Sequence, residues 1–125
     1  MRYRVLLVEP TWDAASRLAA ALDSARFALY WAGDLAVARR GLERLEALDL
    51  LILGSALPEG PGAELCREVK ESRSEVAVVL LASSAGARHD VFGPDLVIDA
   101  SADASEVAAA AERLIAPVPQ RRRRA

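Results

Sequence analysis

The sequence predicts a five-stranded, doubly wound α/β domain, and three observations carry that prediction. Short apolar runs recur along the chain, most are followed by a stretch whose apolar residues repeat at helical spacing, and the runs are apolar throughout rather than alternating. A strand without alternation is buried on both faces. Strands of that kind separated by amphipathic helices are parallel, joined by right-handed crossovers, with helices on both sides of the sheet.

The elements follow in order. Arg4-Val5-Leu6-Leu7-Val8 is the first strand, closed by Glu9-Pro10. Thr11 caps a helix in which Ala15, Leu18, Ala19 and Leu22 share one side. Residues 27–31 form the second strand, and Asp34 caps a second helix with apolar positions Leu35, Ala38, Leu42 and Leu45. A third strand spans 48–53, a helix 63–71, a fourth strand 76–82 and a short fifth strand 96–98. Asp103-Ala104-Ser105-Glu106 has the spacing of a capping box and opens a last helix that runs through Leu114.

At 125 residues, 53% hydrophobic and 27% charged, the chain is one globular module. We place the domain at 1–116 and a flexible Pro/Arg-rich tail at 117–125. The longest apolar run, seven residues at 76–82, is far below the roughly 20 that a membrane-spanning helix needs. No secretory signal is evident, so a cytoplasmic protein is expected. The single cysteine, Cys66, then reads as a small buried hydrophobe in a reducing compartment.

Charge and motifs exclude several classes of chemistry. Residues 1–120 carry 12 basic against 18 acidic side chains, a net −6, which disfavours a specific nucleic-acid surface. The tail Arg121 to Arg124 offers at most nonspecific attraction to acidic partners. His89 is the only histidine and has no second metal-ligand residue of its kind nearby, so no metal or cofactor is expected. Ser83, His89 and Asp99 lack the G-x-S-x-G elbow of a hydrolase, and neither phosphate-binding glycine motif occurs.

In a doubly wound sheet, sites form at the carboxyl ends of the strands. Those ends are Glu9-Pro10, Gly54-Ser55, Ala82-Ser83 and Asp99. Here the sequence resembles the receiver domain of two-component response regulators, which implies the flavodoxin-like receiver fold. The resemblance runs from Arg4 to about Ile115 and is strongest in VLLVEP and DLLILGSALPEGPGAELCREVK, then weaker in VVLLASS and DLVIDAS.

The family holds Mg²⁺ with two acidic residues after the first strand and phosphorylates an aspartate after the third. A Ser/Thr after the fourth strand and a lysine after the fifth complete the set. Position by position, the acidic pair becomes Glu9-Pro10, the phosphoacceptor Gly54, the hydroxyl Ala82 and the lysine Asp99, so four of five roles are empty or inverted. Glycine has no carboxylate to phosphorylate, and Asp99 would repel a phosphoryl group. Lys70 is the only lysine and lies far from that position in sequence.

The resemblance therefore implies a phosphorylation-independent pseudo-receiver, a non-enzymatic interaction or scaffold module in bacterial signalling, with a protein partner and a homodimer among the options. One alternative is phosphorylation at Ser55, a residue beyond the expected position, and another is a small-ligand site in the altered pocket, where Glu9 and Asp99 would project together. Asp99 follows Ala82 by only 17 positions, so the family's fourth helix is expected to be shortened. Arg88, Glu106 and Arg113 are the candidate interaction residues on that side, with alanines 108–111 offering close helix approach. Trp12 and Trp31 are expected to pack at core or edge, or to anchor a partner where exposed.

Overall fold

The structure, a computed structural model, describes residues 2–54, 59–82 and 94–115, with backbone alone for 59–61 and 82. Its elements are β1 (Tyr3–Val8), α1 (Trp12–Ala21), β2 (Phe27–Ala32), α2 (Leu35–Arg44), β3 (Leu50–Leu53), α3 (Glu59–Ser72), β4 (Ala77–Ala82), β5 (Leu96–Asp99) and α4 (Ala104–Ile115). All five strands are parallel, in the order β2-β1-β3-β4-β5. The expected fourth helix and the 117–125 tail fall on residues 83–93 and 116–125, outside the described residues.

Strand alternation sorts the core into two layers. Leu6, Val8, Leu51, Leu53, Val78 and Leu80 face α2 and α3, whereas Val5, Leu7, Leu50, Ile52 and Val79 face α1 and α4. The central strand β3 is buried at every position, which is why its sequence shows no alternation. Cys66 is buried in the first layer, where desolvation pushes its thiol pKa up.

The caps read from the sequence are present. Thr11 accepts from the Ala14 N–H, Asp34 from the Val37 N–H at 2.8 Å, and Asp103 and Glu106 close a reciprocal capping box at 2.9 and 3.0 Å. α3 begins four residues before the expected start, because Gly60 and Pro61 lie in its first turn. A helix leaves its first N–H groups unbonded, so proline breaks nothing there.

Long side chains finish the ends that backbone cannot. Arg73 donates to the carbonyls of Leu42 at 3.1 Å and of Leu45 and Glu46 at 2.9 Å, satisfying the carboxyl end of α2. Lys70 donates to the Val76 carbonyl at 2.9 Å and to Asp95 Oδ2 at 2.8 Å, and the same oxygen accepts from the Val78 N–H at 2.8 Å. The only lysine is thereby fixed at the amino ends of β4 and β5, the opposite end of the sheet from Asp99.

Asp95→Ala removes one acceptor from two charge-strengthened contacts and should cost about 1–3 kcal/mol. Urea unfolding of the variant beside Lys70→Ala and the double variant checks this, with the double expected to lose less than the two singles together.

Candidate functional site at the carboxyl ends of the strands

β1 and β3 are neighbours, and the Gly54 N–H donates to the Val8 carbonyl at 2.9 Å, so Glu9 and Gly54 leave the sheet side by side. Glu9 continues the side of β1 that carries Leu7, and Gly54 the side of β3 that carries Ile52, so both face the α1 and α4 layer. The Glu9 side chain folds over Gly54. A Cβ on residue 54 would overlap Glu9 Oε2 and stand 2.6 Å from Cδ and 2.9 Å from Oε1. The glycine backbone does not require a left-handed φ, so what its lack of a side chain provides is space.

Glu9 is 9% exposed and is the one buried charged residue among those described. Its carboxylate has no hydrogen-bond or ion-pair partner among the described residues, and burial raises its pKa above the ordinary 4.5. The backbone around it is tightly held. The Glu9 N–H donates to the Ala32 carbonyl at 3.0 Å, and the Glu9 carbonyl accepts from Trp31 Nε1 at 2.9 Å.

Asp99 behaves differently. Its Oδ1 accepts from the Ser101 N–H and hydroxyl, both at 2.8 Å, which hold its pKa below the carboxylate norm. Glu9 and Asp99 therefore do not face one another, contrary to the expectation of a shared pocket. Three strand spacings separate β1 from β5, about 14 Å, and a local turn satisfies Asp99 where it stands. Pro10 is exposed beside Glu9, Ala82 ends β4 with its side chain outside the description, and Ser55 and Ser83 lie outside it too.

Trp12 and Trp31 meet at the ends of β1 and β2, with ring centroids 5.1 Å apart and planes inclined at 56°. They remain 60% and 42% exposed, an aromatic pair at the sheet edge rather than core. Glu106 and Arg113 are exposed on α4, whereas Arg88 lies outside the described residues. Ala108 and Ala111 are buried in the layer that also contains Ala15 and Leu18, so the close approach those alanines allow is taken by this chain's own α1.

No family model matches the sequence, and no curated protein sequence does either. Solved structures match clearly. The non-phosphorylated HemR receiver domain from Leptospira biflexa aligns with a TM-score of 0.77 at 26% identity, covering 92% of this chain and 95% of that one. An orphan response regulator of H. pylori gives 0.76 at 18% over 92% and 99%, and a CheY-like receiver domain protein from Methanospirillum hungatei JF-1 gives 0.75 at 18% over 92% and 94%. The chain has the fold of a response-regulator receiver domain.

On that receiver fold, the sequence correctly placed Glu9, Gly54 and Asp99 at strand ends. It missed that Glu9 fills the space over Gly54, and it missed a cleft of about 570 Å³ beside them, between α1 and the turn from β5 into α4. One signal was available: a glycine and a glutamate ending adjacent parallel strands on the same face.

Burial favours the neutral form of Glu9, so between pH 4.5 and its raised folded-state pKa the folded protein binds more protons than the unfolded chain. Stability from this group is thus greatest in acid and falls as pH rises through that window. Glu9→Gln keeps the shape without the charge and should melt higher than wild type at neutral pH, with the gap narrowing toward pH 4. Thermal unfolding between pH 4 and 8 checks the sign.

Proposed function

We propose that this chain is a receiver-fold signalling module that works without phosphorylation, as a protein-interaction or scaffold domain and not as an enzyme. The observation that carries the reading is the Glu9 carboxylate packed into the volume that an acceptor side chain at position 54 would occupy. Aspartyl phosphate formation needs a carboxylate nucleophile and positive charge around the transferred oxygens. At the strand ends of this chain the nucleophile position is glycine, its space holds an anion, and the lysine position is an aspartate engaged with Ser101.

The only lysine is committed at the other end of the sheet and cannot reach the pocket without releasing Asp95 and the Val76 carbonyl. Glu9, Pro10, Gly54, Ala82 and Asp99 are in this reading a vestigial phosphorylation pocket. The partner surface is the side of β5 and α4, with Arg88, Glu106 and Arg113 as its residues, and the Trp12 and Trp31 side is the alternative. The exposed tryptophan pair supports that alternative, because two large aromatic side chains left in solvent are typical anchors of protein interfaces. None of the described helices is long and apolar enough to cross a membrane, and a cytoplasmic setting fits that reading.

Incubation with acetyl phosphate and Mg²⁺ should leave the intact mass unchanged, and beryllofluoride should leave the amide resonances of Glu9 and Gly54 in place. A gain of one phosphoryl group overturns the proposal, and peptide mapping to Ser55 would identify the acceptor.

A further inference from the structure

We infer that the cleft between α1 and the β5–α4 turn binds a small organic cation, an ammonium or guanidinium head on an apolar stem, with Glu9 as the counter-charge. The cleft, about 570 Å³, has the size of a small-molecule site. Leu7, Leu18, Leu81 and Val107 supply its apolar lining, and among them stands Glu9, a residue 9% exposed whose carboxylate has no partner among the described residues. An ionised group in that setting is stabilised by a counter-charge that brings its own hydrogen-bond donors.

The other charges around the cleft are already engaged. Arg17 lines it but is paired with Asp13 one helical turn away, with 70% of its side chain exposed. Asp103, at the rim, accepts from the Glu106 N–H and the Ser105 hydroxyl. Ser101 and Asp103 add no positive charge, so the one cation lining the cleft among the described residues is Arg17, which is turned to Asp13.

The donor set argues for an organic cation over a divalent metal. A hard divalent ion takes six or more oxygen ligands, whereas Gly54 and Pro10 beside Glu9 contribute no side-chain oxygen, and no group of three metal-ligating residues occurs among the described residues. An alkyl stem also uses the leucine and valine lining, which a metal ion would not. The same chemistry is available from a free alkylamine or alkylguanidine and from an arginine side chain, including Arg121 to Arg124 of this chain.

The inference rests on the reading of the strand-end pocket as inert to phosphate, but the two fail separately, since phosphorylation is read by mass and cation binding by resonance shifts. The test titrates the full chain with n-butylguanidinium, n-butylammonium, n-butanol and MgCl₂, following backbone amides by NMR. The cations should give saturable shifts at Glu9, Gly54, Ser101 and Ala102, n-butanol should not, and Glu9→Gln should weaken binding about tenfold or more.

Two further arms separate the sources. Tighter binding after Arg121 to Arg124 are replaced by serine identifies the chain's own tail as a competing occupant, and tighter binding of an arginine peptide than of n-butylguanidinium identifies a protein side chain. Either result supports the site. Absence of saturable shifts, equal affinity in Glu9→Gln, or a response to MgCl₂ alone overturns it.

Discussion

The Glu9 carboxylate and a side chain at position 54 compete for one volume, and the chain resolves the competition by having no side chain at 54. Much of what happens at the carboxyl ends of the strands depends on that exclusion. With glycine present, Glu9 folds inward over the sheet and is desolvated; with any larger residue, the carboxylate would be pushed toward solvent. Its charge consequently sits beside a cleft whose one lining cation among the described residues, Arg17, is paired with Asp13, an arrangement that disfavours a phosphoryl anion and favours a cation.

The surrounding scaffold makes the exclusion hard to relieve. Glu9 is pinned by its N–H on Ala32 and by Trp31 on its carbonyl, and Gly54 by its N–H on Val8, so the two backbones keep their spacing. Trp31, which donates to the Glu9 carbonyl, also packs on Trp12 at the start of α1, so the exposed aromatic pair is tied to the Glu9 backbone.

Features that depend on neighbouring residues along the chain were legible in the sequence. Capping at Thr11, Asp34 and Asp103 depends on residues three positions apart, and the buried strands on continuous apolar runs. The start of α3 lies four residues before the expected one, with Gly60 and Pro61 in its first turn, where a helix accepts proline. The position of Asp99 was legible but its direction was not, since Ser101 two residues later captures it. Glu9 was expected to project with Asp99 into a shared pocket, and its burial instead depends on a missing Cβ 45 residues away on the neighbouring strand.

A double-mutant cycle between Glu9→Ala and Gly54→Ala measures that exclusion directly. Alanine at 54 restricts the unfolded chain and should stabilise by about 0.4–1 kcal/mol once Glu9 is removed, whereas with Glu9 present the clash should erase or reverse that gain. The account predicts a coupling of about 0.5–3 kcal/mol between the two positions. Additive effects, agreeing within about 0.3–0.5 kcal/mol, would show that Glu9 does not occupy the space above Gly54 and would contradict the central claim.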